Sequence, residues 1–340
     1  MNKLIVLFGV LFAVNGIPNN ESSVKDQLDS FKEKALKKFR DQFEETLRNS
    51  AFSKHSDDII NHNHLFEKGL SSFKMKLNKF SDIPHKDFVF HMRAYMHVRK
   101  ARKNATIDHS TYFKGSANFV LPKSIDWRKK GAVSPVKMQD HCHSCWSFSA
   151  VGSIEGQHFR KTGHLVQLSE QNVIDCMNRT ERDSCVAHTI HEVFDYVIRN
   201  GGIDTERSYP YKAVSGSCKY KSRNSGAKIR SYSNIPTGDE KLLQEALATV
   251  GPISTCIDAS HESFQHYGSG IYHEPQCSSN IDDLNHAVLI VGYGTDDHGK
   301  DFYIVKNSWS DDWGDEGYVY MPRNRKNHCG IATDATFPIV

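Results

Sequence analysis

The eight cysteines of this chain are confined to its C-terminal part, between Cys142 and Cys329. Eight cysteines in 340 residues are too few for a small disulfide scaffold, and 38% of the residues belong to the AVILMFWYC set. That apolar content is enough to bury the core of one or two domains and too high for a disordered protein. The chain is therefore expected to fold around its own core, and the role of its cysteines depends on its compartment.

The N-terminus has the order of a secretory signal. Lys3 precedes a continuous apolar run from Leu4 to Val14, and small or polar residues follow up to Gly16. The run is too short to span a bilayer, so residues 1–16 are predicted to be a signal peptide that is removed. Cysteines downstream can then be oxidised. Sequons at three positions permit glycosylation: Asn20, Asn104 and Asn178.

Charge divides the rest of the chain into two parts. Residues 17–117 carry 19 Lys and Arg against 13 Asp and Glu, a net charge of +6, and no cysteine. Residues 118–340 carry 23 against 27, a net charge of −4. The formal charge of the whole chain is only +3, which argues against nucleic acid or an anionic membrane as its partner. The split predicts a detachable leader that attracts an acidic body; a charged helical domain that stays attached is the alternative.

The leader contains a helical stripe that a plain amphipathic helix does not explain. Its members recur at steps of three and four residues, and they mix apolar with polar side chains: Glu44, Arg48, Phe52, His55, Ile59 and Asn63. Residues 73–80 follow, and their alternation predicts a strand that ends at Ser81 and Asp82.

The candidate nucleophile is Cys145, within residues 139–150, QDHCHSCWSFSA. Ser144 is a good N-cap, so Cys145 is predicted in the first turn of a helix, where the helix dipole stabilises a thiolate. His286 begins one apolar strand-like run and Asn307 closes another. They lie 141 and 162 residues after Cys145, which is the order and spacing of a Cys/His/Asn triad, although either residue alone is more often structural.

These motifs resemble the papain-like cysteine peptidases, most closely the cathepsin L-like zymogens. The leader stripe is similar to that group's interspersed Glu-Arg-Phe-Asn-Ile-Asn motif, with His55 in place of the first Asn. The resemblance implies an α+β, papain-like fold of a helical subdomain and an antiparallel barrel-like subdomain, preceded by a helical inhibitory pro-region. It implies a propeptide over residues 17–120 and a peptidase domain over 121–340, with a helical half to about 231 and a barrel half from 232.

The resemblance also implies a role for each matching residue. Cys145 would attack the scissile carbonyl as a thiolate paired with a His286 imidazolium, and Asn307 would orient the imidazole under cover of Trp309. Gln139 would offer its amide to the oxyanion, and Trp313 would line the leaving-group side of the cleft. The disulfides implied are Cys142 with Cys185, Cys176 with Cys218, and Cys277 with Cys329, which leaves Cys145 and Cys256 unpaired.

A monomeric endopeptidase that acts on protein or peptide substrates follows from the same resemblance, with no metal or organic cofactor. Its own propeptide would be its inhibitor. The protein would enter the secretory pathway and end in the lysosome or outside the cell. Acid would weaken the hold of the −4 body on the +6 leader, so activation is expected to be acid-driven.

The chain departs from the family pattern beside the nucleophile and across the cleft. Asp140 and His143 replace glycines, His188 replaces the glycine whose backbone pairs with substrate, and Ser310 replaces another glycine in what looks like a milder change. Three interpretations follow: an active peptidase with a narrow subsite preference, a degenerate peptidase retained as a binding or structural protein, and a metal site. The metal site would use His141, His143 and His188 with Cys145.

The P2 pocket carried over from the resemblance is apolar except at its base. Ile190, Cys256 and Leu284 would line it, and these three are equally expected as ordinary core residues. Asp334 would lie at the base, where a carboxylate pairs with Arg or Lys at P2. The pocket thus predicts tolerance of basic P2 residues beside Leu or Val; an exposed Asp334 that touches nothing is the alternative.

Overall fold

The computed structural model describes residues 28–31, 41–90, 110–177 and 185–340. The expected signal peptide and the three sequons lie outside these residues. No helix in the described part is long and apolar enough to cross a bilayer. The helices with defined bounds are α1 (Gln42–Glu67), α2 (Cys145–Thr162), α3 (Glu170–Met177), α4 (Ile190–Asn200), α5 (Glu240–Thr249) and α6 (Glu262–Gln265), with 3₁₀ turns at Ser222–Asn224 and His328–Gly330.

Twelve strands are distributed between the leader and the body within the described residues. In chain order they are β1 (Phe73–Met75), β2 (Ser110–Tyr112), β3 (Ile125–Asp126), β4 (Ile203–Asp204), β5 (Ser225–Ala227), β6 (Ser231–Asn234), β7 (Ile253–Ile257), β8 (Tyr267–Gly270), β9 (His286–Thr295), β10 (Asp301–Lys306), β11 (Tyr318–Pro322) and β12 (Thr336–Ile339). Mixed helix and sheet of this kind confirms the α+β class.

The leader stripe lies on the inner face of α1. Phe52 and Ile59 are buried, as the apolar members of a docked helix should be. The polar members hold the following segment in place: Asn63 donates to the Met75 carbonyl at 3.0 Å and accepts from the Met75 N–H at 2.9 Å. The Arg48 guanidinium forms an ion pair with the Asp82 carboxylate at 3.9 Å. The mixed stripe is thus a docking surface rather than a simple amphipathic face.

The strand expected over residues 73–80 is shorter than predicted, because only Phe73–Met75 pairs as β1. Asn78 ends it, since its side-chain oxygen accepts from the Phe80 N–H at 2.9 Å while its own N–H donates to Ser81 Oγ at 2.9 Å. Asn side chains favour such local turns over a strand ladder.

The leader is held to the body by two added strands. β1 pairs antiparallel with β8, and β2 runs parallel to β6 at the end of the main sheet. Charge adds to these backbone hydrogen bonds: Lys54 lies 2.7 Å from Glu262, and Lys79 lies 3.6 Å from Asp312. Exposed pairs contribute little by themselves, so strand pairing and apolar contact supply most of the attachment.

The main sheet has the order β11-β10-β9-β7-β12-β6-β2, with β3 paired on β9. All five residues of β7 and nine of the ten in β9 are buried, because helices and loops cover both faces. Helices α2, α3 and α4 form the helical half, and α2 packs against β9. The first strand of the body, β3, belongs to the barrel half, because buried Trp127 anchors there by donating to the Leu247 carbonyl at 2.8 Å.

Three disulfides join the pairs Cys142–Cys185, Cys176–Cys218 and Cys277–Cys329. The first two lie in the helical half, and the third lies in the barrel half. Cys145 and Cys256 remain as buried thiols. Each half is therefore cross-linked internally, and Cys145 and Cys256 take no part in these disulfides.

Candidate active site

Cys145 is the first residue of α2, as the sequence predicts, and only 5% of it is exposed. Ser144 stands at the N-cap, but its hydroxyl caps no backbone N–H of the helix. The sulfur is instead approached by the backbone N–H groups of Ala287, Trp146 and Cys145 itself. These donors and the helix N-terminus both favour negative charge on the sulfur.

The His286 imidazole has a defined tautomer. Asn307 Oδ1 accepts from the Ser308 N–H at 2.8 Å, which fixes the orientation of that amide, and it also lies 2.8 Å from His286 Nε2. A carboxamide oxygen only accepts, so Nε2 carries a hydrogen. Nδ1 of the neutral ring is then an unprotonated acceptor, and it is buried with no hydrogen-bond partner among the described residues. The ring thus presents a free lone pair.

Aromatic rings cover the His286–Asn307 hydrogen bond. Trp309 stacks on His286 at 4.7 Å between ring centroids and is 2% exposed. Leader rings close over it from the other side, with Phe80 at 5.3 Å and Phe88 at 5.5 Å from Trp309. Trp313 is fully buried at 5.1 Å from Trp309. In this form leader side chains are packed against Trp309, beside the His286 ring.

Burial favours the neutral forms of the two catalytic candidates in this covered form. Burial raises the pKa of the Cys145 thiol to about 11, against the opposing effect of the backbone donors. Burial also lowers the pKa of His286 to about 4, although Asn307 favours its charged form. Both shifts act against the expected thiolate–imidazolium pair here, because removing charges from water is costly.

Gln139 lies at the mouth of the cleft with its carboxamide fixed. Its Oε1 accepts from Ser308 Oγ at 2.7 Å, and its Nε2 donates to the Cys142 carbonyl at 3.2 Å. The second Nε2 hydrogen is available for a substrate oxygen. A cavity of about 110 Å³ separates Gln139 and His143 from the leader rings.

Two of the glycine replacements carry backbone strain. Asp140 has φ 51° and Ser310 has φ 69°, both in the left-handed region that favours glycine. Asp tolerates that region better than most residues, whereas Ser310 has no such preference, so its change is not the milder one that the sequence suggested. His143 and His188 are absent from the positive-φ residues of the described chain, so these two replacements add side chains without left-handed backbone strain.

His188 is buried in this covered form. It is 2% exposed, its ring meets the edge of Trp146 at 4.8 Å, and its Nδ1 lies 3.5 Å from Glu192. Among the described residues, the close groups of metal-ligand atoms are Cys277/His328/Cys329 and Asp258/His261/Cys277. Both use a disulfide sulfur. The structure therefore does not bring together His141, His143, His188 and Cys145 as the metal-site interpretation required.

The expected P2 residues are partly brought together. Ile190, Cys256 and Leu284 are fully buried in the same apolar cluster as Cys145. Asp334 is half-buried on the segment that leads into β12. Ser308 is a site residue that sequence reasoning passed over, although its place between Asn307 and Trp309 was the signal that could have identified it.

Comparisons with known proteins agree with this geometry. Residues 121–339 match the model of the papain family of cysteine proteases, and residues 29–88 match the cathepsin propeptide inhibitor domain (I29). A cathepsin L-like peptidase of Aedes aegypti is 46% identical over 342 residues, covering 100% of both chains. Cathepsin L1 of Drosophila melanogaster is 46% identical, covering 93% of this chain and 85% of its own. The solved digestive procathepsin L 3 of Tenebrio molitor larval midgut superposes with a TM-score of 0.83 at 36% identity, covering 93% of this chain and 99% of that one.

Replacing Ser310 by glycine should stabilise the protein, because glycine relieves the left-handed strain. We expect Ser310→Gly to raise the free energy of unfolding by about 0.5–1 kcal/mol, after the greater chain entropy of glycine in the unfolded state is subtracted. Denaturant unfolding of the full chain carrying Cys145→Ala, which prevents self-cleavage, measures it. Ser310→Ala is the matched control because it keeps the Cβ. A glycine variant less stable than the alanine variant would contradict the strain argument.

The thiol of the covered form should react slowly at neutral pH. With a pKa of about 11, only about one Cys145 in ten thousand is a thiolate at pH 7, and the fraction rises about tenfold per pH unit. We expect alkylation of the intact chain by iodoacetamide to follow that slope from about pH 7 to pH 10, in a Cys256→Ala background. Removal of the leader by an added protease should raise the neutral-pH rate at least about a hundredfold. Fast, pH-independent alkylation of the intact chain would instead mean that the ion pair already exists.

Proposed function

The chain belongs to the papain family of cysteine proteases, in its cathepsin L-like zymogen group, and we propose that it is a working cysteine endopeptidase. The observation that carries this proposal is the Asn307 oxygen that accepts from both the Ser308 N–H and His286 Nε2. It leaves His286 Nδ1 as an acceptor, which is what a general base beside a thiol requires. An impaired homologue kept for binding would have no need of that tautomer.

The proposed reaction uses the side chains of the cleft in turn. The Cys145 thiol gives its proton to His286 Nδ1, and the sulfur attacks the scissile carbonyl carbon. The oxyanion is met by a Gln139 Nε2 hydrogen and the Cys145 N–H. When the C–N bond breaks, Nδ1 returns the proton to the leaving amine. His286 Nδ1 then takes a proton from water, and the water oxygen attacks the thioester carbonyl carbon. The C–S bond breaks, the carboxylic acid leaves, and Nδ1 returns the proton to the Cys145 sulfur.

The glycine replacements are compatible with this reaction. The His188 imidazole packs against Trp146 in the covered form, and we propose that this contact persists after release and leaves the His188 backbone able to pair with a substrate main chain. Asp140 adopts the left-handed conformation that glycine would have supplied. We propose that these changes narrow the subsite preference without abolishing turnover. The alternative, a catalytically impaired binding or structural protein, predicts that the released cleft does not react.

We propose that residues 1–16 direct the chain into the secretory pathway, that 17–120 form the inhibitory propeptide, and that cleavage near Leu121 releases an enzyme that works in the lysosome or outside the cell. Three disulfides support an oxidising route.

We propose that acid drives release, because two buried imidazoles lie at the interface between leader and body. They belong to His55 of α1 and His266 of the body, and their ring centroids are 4.4 Å apart.

The direction of that pH effect follows from His266. Burial, with a smaller contribution from His55, lowers its pKa to about 3, and His85 faces it with the same sign while Glu262 opposes. A histidine with a lowered pKa contributes docking stability that is present at neutral pH and is lost as the pH falls below its ordinary value near 6.5. Hydrogen bonding from His55 holds the pKa of Glu262 well below its usual range, so that carboxylate weakens only in stronger acid.

Active-site titration of the acid-processed protein tests the proposed function. An irreversible epoxide that alkylates reactive thiols should label about one site per molecule, and at least one fluorogenic peptide should be cleaved. Cys145→Ala should lose both signals. Cys256→Ala should still be labelled, which assigns the reacting sulfur. Absence of labelling in correctly folded, processed wild-type protein would overturn the peptidase proposal and favour the binding protein.

Specificity at P2 provides a second test. If Asp334 closes the base of the pocket, Asp334→Asn should lower kcat/KM for a substrate with Arg at P2 about tenfold, because the charge-assisted pair is lost. A Leu-P2 substrate should change by less than about twofold. Equal loss for the two substrates would remove Asp334 from the pocket and leave it as a structural residue.

A further inference from the structure

Tyr211 lies beneath the loop that carries Gln139 and joins two parts of the cleft. It follows β4 in the helical half, and its ring packs against Phe148 of α2 at 5.0 Å between centroids. Its hydroxyl lies 2.7 Å from the Gln139 carbonyl oxygen and 2.8 Å from Ser144 Oγ. One phenol therefore contacts the residue expected at the oxyanion and the residue before the nucleophile.

The protons of this network have one order. The Gln139 carbonyl only accepts, so the Tyr211 hydroxyl donates to it, and Ser144 Oγ must then donate to the Tyr211 oxygen. Burial raises the pKa of Tyr211, so the phenol keeps its hydrogen throughout the working range of such an enzyme. The Ser144 hydroxyl therefore donates its hydrogen to the Tyr211 oxygen, and it caps no backbone N–H of α2.

The carbonyl that Tyr211 holds belongs to the peptide between Gln139 and Asp140. Asp140 is the left-handed residue of this loop, at φ 51°. Rotation of that peptide would relieve the strain at Asp140 and swing Gln139 away. The Gln139 N–H donates to the Ser308 carbonyl at 2.9 Å. The backbone of Gln139 is therefore hydrogen-bonded to Ser308 of the barrel half and to Tyr211 of the helical half.

We propose that Tyr211 is a positioning residue for oxyanion stabilisation, which holds the strained Gln139–Asp140 peptide so that Gln139 Nε2 faces the substrate carbonyl. This inference rests on the proposed peptidase function. Because Asp140 replaces a glycine in a left-handed conformation, the loop is strained in this conformation, and the Tyr211 hydroxyl supplies a hydrogen bond that holds it there. The effect should be realised in the transition state, where the oxyanion forms.

Tyr211→Phe tests the inference in the enzyme that is processed from the full chain, because the substitution removes the hydroxyl and keeps the ring on Phe148. We expect kcat on a peptide amide to fall about tenfold with KM within about twofold, and a peptide aldehyde, whose adduct carries the oxyanion, to bind about tenfold more weakly. The rate of Cys145 alkylation by iodoacetamide should not change, since that reaction makes no oxyanion.

Tyr209→Phe is the matched control. Tyr209 lies two residues earlier, is 6% exposed, and donates to Asp175 at 2.7 Å, with no contact to the loop. The Tyr209→Phe variant should lose about as much stability as Tyr211→Phe and keep the wild-type kcat. In a Gln139→Ala background, itself expected to cost about a hundredfold in kcat, Tyr211→Phe should add less than about twofold, because its route runs through Gln139.

The outcomes separate the inference from the function that it rests on. Suppose the wild type turns over substrate. If Tyr211→Phe then lowers kcat by the same factor with and without Gln139→Ala, or if Tyr211→Phe slows Cys145 alkylation, the positioning role is overturned and the peptidase function stands. Equal loss of kcat in Tyr211→Phe and Tyr209→Phe would make the effect one of general stability and would also overturn it. A wild type that labels no epoxide and turns over no substrate would overturn the proposed function and this role with it.

Discussion

The Asn307 carboxamide oxygen is the acceptor on which the chemistry that we propose for the cleft depends. It receives the Ser308 N–H, which fixes the amide, and then the His286 Nε2 hydrogen, which fixes the tautomer. Neither contact is strong alone, since a neutral hydrogen bond contributes on the order of 1 kcal/mol. Their value lies in specification, because only one of the two imidazole nitrogens is left as a base. Trp309 keeps water from competing for the same oxygen.

The leader packs beside this arrangement. In the covered form the His286–Asn307 hydrogen bond is made, and burial favours the neutral thiol and the neutral ring. The Phe80 and Phe88 rings lie on Trp309, which itself stacks on His286, so the leader adds apolar surface next to the ring that covers the imidazole. We therefore expect inhibition by the leader to have a steric part and an electrostatic part.

Much of this site could be predicted from the sequence because the informative signals are local or depend on spacing. The position of Cys145 at the start of a helix, and the numbers of residues that separate it from His286 and Asn307, can be read without coordinates. The packing of His188 against Trp146, the left-handed φ of Ser310 and the pKa shifts of Cys145 and His286 depend on packing and solvent access, which residue identity does not encode. The strand expected over 73–80 was too long because period-two alternation does not register the turn that the Asn78 side chain makes.

The same limit explains how a chain can lose glycines beside its nucleophile and keep the geometry around it. At Asp140 the left-handed backbone persists although the residue no longer favours it, so other contacts must hold it. The Gln139 peptide receives them from both halves of the fold: Ser308 on one side and the Tyr211 hydroxyl on the other. A sequence alignment scores the glycine as lost, whereas the structure assigns its conformational role to hydrogen bonds from residues distant in the chain. Tolerance of substitution at such a loop is therefore a property of its neighbours rather than of the substituted residue.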